Sequence, residues 1–177
     1  MKNTKINILV AAFLMIITFS AQAQAPYKHS IGVVTGNLNG VSYKTFLSDH
    51  LALQADLGYK CIVTSGQHAN NVFVQSFELN PNIMYEKNIT KGLYLFGGGG
   101  ISLGYSWSSY YDYWTGGYYR YNYGKFGING IAGIEYKFNI PLTLQADFRP
   151  GYGLLFGHHS TWNYFDWALC ASVRYTF

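Results

Sequence analysis

From Ser30 to Phe177 the chain alternates between apolar and polar positions with a period of two, the spacing of a β-strand whose two faces meet different surroundings. Between Leu142 and Phe156 the even positions read Leu142, Leu144, Ala146, Phe148, Pro150, Tyr152, Leu154, Phe156. The odd positions read Thr143, Gln145, Asp147, Arg149, Gly151, Gly153, with Leu155 the apolar exception. The C-terminal stretch repeats this, with Phe165, Trp167, Leu169, Ala171, Val173, Tyr175 and Phe177 in one phase and Tyr164, Asp166, Ala168, Cys170, Ser172, Arg174 and Thr176 in the other. The same reading predicts strands at Ser30–Gly36, Gly40–Ser48, Leu51–Val63, Val72–Glu86, Gly92–Trp107 and Asn122–Phe138, which with the last two makes eight.

The connections predicted between these strands alternate in length. Ser48–His50, Lys87–Lys91 and Asn139–Pro141 are tight turns, whereas Gln67–Asn71, Ser108–Tyr121 and Gly157–Trp162 are longer and rich in Gly, Ser, Asn and aromatic residues. Asn37–Asn39 is short but belongs to the longer-loop end. Short turns at one end and longer loops at the other are the pattern of a membrane β-barrel, and an even strand count returns both termini to the turn end.

Alternation alone does not say which face meets lipid, because a water-soluble up-and-down barrel would turn its apolar face inward. The charges decide. Lys44, Asp56, Lys60, Glu78, Glu86, Lys125, Glu135, Lys137, Asp147, Arg149, Asp166 and Arg174 all fall in the polar phase, and no charged residue falls in the opposite phase of any predicted strand. Lipid imposes such a segregation, since a basic residue at mid-bilayer costs roughly 2–4 kcal/mol. Gly58, Gly98, Gly100, Gly104, Gly127, Gly133, Gly151 and Gly153 share the charged phase; they make room for long side chains in a lumen that eight strands leave barely wide enough to fill. The apolar phase ends in rings. Tyr85, Tyr136, Phe138, Tyr175 and Phe177 mark the turn end, and Tyr59, Phe77, Tyr105, Trp107, Tyr152, Phe165 and Trp167 the other, as expected where amphipathic rings settle at both interfaces. The expected fold is all-β, an eight-stranded antiparallel up-and-down transmembrane β-barrel.

Composition narrows this further. The 177 residues fit one domain, and charged residues make up 11% against 19% aromatic and a mean hydropathy of +0.02. That is few charges for a soluble surface, yet beyond the N-terminus no apolar run approaches the ~20 residues of a membrane helix. The N-terminus itself reads as a secretory leader: Lys2 and Lys5, an apolar core from Ile6 to Phe19, then Ala21-Gln22-Ala23 as a cleavage site. Residues 1–23 are thus the expected signal peptide and 24–177 the barrel domain. Without Lys2 and Lys5 the net charge falls from +4 to +2, too little to suggest nucleic acid. Cys61 and Cys170 lie in opposite phases of non-adjacent strands, and no bridge is expected between them.

The closing Ala171-Ser172-Val173-Arg174-Tyr175-Thr176-Phe177 resembles the terminal insertion signal of small OmpA/OmpX-type outer-membrane barrels, in the form common among Bacteroidetes β-barrel-domain proteins. Val173, Tyr175 and Phe177 carry that likeness. The resemblance implies a bacterial outer-membrane location, recognition by the barrel-insertion machinery, and outer-membrane lipid and lipopolysaccharide as surroundings. A monomer is expected.

Six inward cations, Lys44, Lys60, Lys125, Lys137, Arg149 and Arg174, balance six inward anions, Asp56, Glu78, Glu86, Glu135, Asp147 and Asp166. A salt-bridged network plugging the lumen is therefore expected, with Lys44 set diagonally to Asp56, Lys60 to Glu78 and Asp147 to Arg174. The alternative is a narrow pore for ions or small solutes. Between Ser108 and Tyr121, Tyr110, Tyr111, Tyr113, Trp114, Tyr118, Tyr119 and Tyr121 surround Thr115-Gly116-Gly117. The flanking strands exceed the 9–11 residues a crossing needs, so this hairpin projects outward and suits surface recognition or mutual bracing. His158-His159-Ser160 shares the His-x-Ser spacing of outer-membrane lipid A deacylases, but no Glu follows and Asp166 falls in the lumen phase, away from the histidine it would have to orient. The two histidines have no third metal ligand at a recognisable spacing, and no cofactor motif is present. The expectation is a non-enzymatic barrel with a structural or surface-contact role.

Overall fold

The structure is a computed structural model describing residues 25–66, 69–112, 117–157 and 161–177, with side chains outside 62–74, 109–116, 118–120 and 158–160. The expected leader, Tyr113, Trp114 and the His158–Ser160 triplet lie outside those residues. Eight strands follow in order: β1 His29–Gly36, β2 Asn39–Phe46, β3 Leu51–Gly66, β4 Ala69–Thr90, β5 Leu93–Asp112, β6 Gly117–Lys137, β7 Leu142–Phe156 and β8 Thr161–Thr176. Each pairs antiparallel with the next, and β1 closes on β8 from Ser30↔Thr176 to Gly36↔Cys170. The fold is an eight-stranded up-and-down transmembrane β-barrel, and no helix occurs among the described residues.

Strand parity sorts the side chains with little exception. Along β7 and β8 buried and exposed residues alternate at nearly every step. The distribution is the inverse of a soluble domain. Lys44, Asp56 and Glu135 are 0% exposed, whereas Ile128 is 63% and Phe165 73% exposed. A belt of bare Leu, Ile, Val and aromatic side chains this extensive is far beyond what a soluble monomer carries; it is a lipid-facing wall. Register aligns the rings into girdles. Tyr59, Phe77 and Tyr105 sit side by side on β3, β4 and β5, and Tyr152 pairs with Phe165. On β4, Phe77 and Tyr85 are eight residues apart, which at about 3.3 Å per residue and a tilt near 40° separates the girdles by roughly 20 Å along the axis. That approaches the ~25 Å apolar band of outer-membrane barrels.

The strands differ in height. β1 and β2 span 8 residues each, β4 spans 22 and β6 21. Two expected connections are accordingly shorter than the sequence suggests. Most of Ser108–Tyr121 is paired strand, with Tyr110 opposite Tyr119, Tyr111 opposite Tyr118 and Asp112 opposite Gly117. Ladder hydrogen bonding continues there as far as Asp112↔Gly117 because the tyrosines favour extended pairing. Likewise β4 runs on to Thr90, and the turn is made by Lys91 and Gly92, whose φ of 81° suits glycine. Pro81 and Pro150 interrupt the ladder on one side only: β4–β5 pairing resumes at Asn82↔Gly100 and β6–β7 pairing at Asn129↔Gly151. The ring of Pro150 leans toward Gly130, where a Cβ would meet it at 3.4 Å.

Candidate functional site: the ionic lumen

The alternation carries the charged residues inward, where the lumen is too narrow to hydrate them, so each must find a partner. They do so in three tiers. At the turn end, Lys44 on β2 is bonded to Glu135 on β6 at 2.8 Å and contacts Glu86 on β4. The Arg174 guanidinium on β8 also donates to Glu135. Both Lys44 and Glu135 are wholly buried. In the middle tier Arg149 on β7 is gripped by Asp56 at 2.6 Å and by Asp147 at 2.5 Å. Toward the loop end Lys125 on β6 reaches Glu78 at 2.6 Å and Asp166 at 3.3 Å, and Asp166 also holds Lys60. Asp166 retains 19% exposure, the wettest of these groups.

Two glutamines join the lower tiers. Arg174 donates to the side-chain oxygens of both Gln54 and Gln145. Their amide nitrogens donate onward, Gln54 to Asp56 at 2.8 Å and Gln145 to Asp147 at 2.7 Å. The result is one hydrogen-bonded chain from Glu135 through Arg174 and the glutamines to the carboxylates around Arg149. The residues come from a repeated tetrapeptide, Leu53-Gln54-Ala55-Asp56 on β3 and Leu144-Gln145-Ala146-Asp147 on β7. Those strands lie opposite each other in the ring of eight. In each copy the glutamine and aspartate face the lumen while leucine and alanine alternate with them. The repeat is visible in the sequence and is the signal that identifies both glutamines as part of the network.

Apolar groups close the turn end of the ladder of charges and flank its middle. Phe46, Ala52, Met84, Phe96 and Ile131 form a buried cluster against which Ala25 and Tyr27 pack. Gly133 gives Phe96 its space, since a Cβ there would stand 2.8 Å from the ring tip. Tyr27, just before β1, meets Phe46 edge to face at 5.1 Å between ring centres and donates its hydroxyl to Glu135 at 2.7 Å. Burial and the neighbouring Glu135 carboxylate push the Tyr27 phenol well above its usual range, so it remains a donor. The Lys44 ammonium lies 5.3 Å from the centre of the Phe46 ring and 5.5 Å from that of Phe96. Nearer the loop end, Val34, Leu38, Ala168 and Cys170 make a second cluster beneath the short β1–β2 turn. A small cavity of about 30 Å³ between Lys60, Glu78, Asn80, Asn129, Arg149 and Tyr164 has room for roughly one or two waters.

The structure thus places eleven of the twelve inward charges in ion pairs, but not with the neighbours expected from register. Lys44 is diagonal to Asp56, as Lys44 pairs with Gln54 in the ladder, yet its ammonium goes to Glu86 and Glu135. Lys60 is diagonal to Glu78 and instead binds Asp166. Asp147 is opposite Cys170, and Arg174 is opposite Thr143 four residues away, so those two are not diagonal. Lys44, Lys60 and Arg174 instead reach across the lumen, because strands two to four places apart come within reach in so small a ring, while Asp147 is held by Arg149 on its own strand. Lys137 departs from the network: at the rim its ammonium donates to the carbonyls of Phe138 and Ile140 at 2.9 and 2.7 Å. Val173 and Tyr175 on β8 and Phe177 just past its end face outward and are exposed. Cys61, exposed, and Cys170, buried, are both free. Of the hairpin aromatics, Tyr121 is exposed and stacks on Tyr123 at 6.5 Å; Tyr110, Tyr111, Tyr118 and Tyr119 are placed by backbone register alone. Among the described residues no cluster of His, Cys, Asp and Glu could hold a metal ion.

No family model matches the chain, and no curated protein matches it. Solved structures do. Neisserial surface protein A (NspA) superposes with a TM-score of 0.51 at 16% identity, covering 84% of this chain and 93% of that one. Ail, the attachment invasion locus protein of Yersinia pestis, gives 0.50 at 14% identity, covering 86% of this chain and 99% of that one. Both are small eight-stranded outer-membrane barrels. The likeness is one of fold along nearly the whole barrel.

Proposed function

We propose that this is a non-enzymatic bacterial outer-membrane barrel that is closed to solutes and meets its surroundings through the β5–β6 hairpin. A leader of residues 1–23 would deliver it, and the insertion machinery would read Val173, Tyr175 and Phe177. The observation that carries the closed-lumen reading is the three-tier ionic network, with Lys44, Asp56, Glu135 and Arg174 at most 1% exposed. A conducting lumen keeps charged groups wet; these are dry and held in ion pairs with one another. The hairpin supports a surface role because β5 and β6 stay paired as far as Asp112↔Gly117, well past the outer girdle at Tyr105, and carry tyrosines there. Tyrosine offers rigid amphipathic contact area at small conformational cost. The neighbour Ail is named the attachment invasion locus protein, which is in keeping with a surface-contact role. Asp166, the one acid downstream of His158-His159-Ser160, is engaged by Lys60 and Lys125, and this weighs against the lipid A deacylase alternative.

Planar-bilayer recording of the folded protein tests closure: the expected trace is flat, and regular single-channel steps would replace this reading with the narrow-pore one. Cells displaying the chain with and without Ser108–Tyr121 test the hairpin. Adhesion to protein-coated surfaces should fall without it, and equal adhesion would remove the surface-contact role.

A further inference from the structure

Outside the lumen the charges of residues 25–177 are unevenly shared between the two ends. The turn end carries Lys28, Lys87, Lys91 and Lys137 against Asp49, while the loop end carries only Asp112 and Arg120. The net is +3 at the first and zero at the second. Each of the four lysines also stands next to the girdle at that end. Lys28 precedes His29, which exchanges backbone hydrogen bonds with Phe177 at 3.0 and 2.9 Å. Lys87 is the next outward position after Tyr85 on the extended β4. Lys91 is two residues from Leu93, which pairs with Tyr136, and Lys137 follows Tyr136 directly.

Depth makes this placement informative. One outward step along a strand is about 6.6 Å, which a tilt near 40° reduces to roughly 5 Å along the axis. The polar headgroup layer is about 5–7 Å thick on each side of the hydrocarbon. A lysine one outward step beyond a girdle tyrosine, as Lys87 is beyond Tyr85, therefore lies at the level of lipid phosphates. Lys28 and Lys91 are exposed.

We propose that the turn end is a collar that binds anionic phospholipid headgroups and so selects the lipids around the base of the barrel. This rests on the transmembrane reading above. Each lysine near an anionic surface favours association by about fivefold, so a net of three charges is ample for preference between headgroups of equal chain length. The interaction is electrostatic at a wet surface and weakens with salt.

The test uses the full, detergent-folded chain titrated with phosphatidylglycerol or phosphatidylcholine of the same acyl length, bound lipid being counted by native mass spectrometry. Heat-modifiable gel mobility and protease protection in neutral phosphatidylcholine vesicles report the barrel separately. The expected result is about a tenfold preference for phosphatidylglycerol at low salt. It should fall to twofold or less in 0.5 M salt, where the Debye length is about 4 Å against about 30 Å at 0.01 M, and in a Lys28→Gln/Lys87→Gln/Lys91→Gln variant. If that variant fails to fold, the Lys28→Gln/Lys91→Gln pair should still reduce the preference severalfold. Equal retention of the two lipids by a protein that passes the barrel assays would overturn the collar alone, as would a preference unchanged by the substitutions. Failure to insert into neutral vesicles would overturn the collar and the transmembrane reading together.

Discussion

The two ends of the lumen use the same chemistry in different surroundings. The turn-end tier joins Lys44, Glu86, Glu135 and Arg174, all at most 1% exposed, under an aromatic and aliphatic lid that includes Tyr27, Phe46 and Phe96. The loop-end tier joins Lys60, Glu78, Lys125 and Asp166 beside a small cavity, and Asp166 keeps contact with solvent. Removing one member of a dry cluster strands its partners as uncompensated charges, whereas water near the wetter cluster can take the place of a lost partner. Equal numbers of ion pairs therefore do not mean equal contributions to stability.

That contrast can be broken at its strongest point by Glu135→Ala, which removes the common partner of Lys44, Arg174 and Tyr27. Urea unfolding in lipid vesicles, followed by tryptophan fluorescence, should show a loss of about 3–5 kcal/mol; a loss below about 1 kcal/mol would mean that the turn-end tier is hydrated. Asp166→Asn should cost only about 1–2 kcal/mol by the same measurement, because the carboxylate is partly solvated and the amide still accepts a hydrogen bond. A cost matching that of Glu135→Ala would erase the difference between the ends. Smallest is Tyr27→Phe, expected to cost about 1 kcal/mol through one lost hydrogen bond to a carboxylate that keeps its other partners. If the phenylalanine variant instead unfolded as easily as Glu135→Ala, the lid rather than the ion pairs would hold that end.

Much of this was legible in the sequence, and the reasons are specific. Parity alone assigns a face to every strand residue, so the inward position of Lys44 or Asp147 follows from the phase of its neighbours. Strand count and direction follow from where that phase is interrupted. Pairing does not, because diagonal adjacency supposes that a side chain meets the next strand. In this ring the side chains reach across, and Arg149 finds Asp56 four strands away. The inward apolar residues were also hidden. Phe46, Met84, Phe96 and Ile131 share the charged phase, and only the assembled lumen shows that they collect with Tyr27 at one end. Gln54 and Gln145 stood in plain sight within a repeated Leu-Gln-Ala-Asp, but a search for charges alone passes over a neutral amide that links them. The strand ends moved outward wherever tyrosines or polar residues kept pairing past the membrane, as at Tyr110–Tyr119 and at Lys87.

The unequal strand heights give the molecule a heading within the plane of the membrane. With β1 and β2 ending at the outer girdle and β4 to β6 rising past it, the cylinder is cut obliquely, like a quill. A neighbour diffusing in from the low side meets a shallow rim, while one from the high side meets a tyrosine-bearing screen. Lateral contacts within the membrane therefore depend on the azimuth of approach.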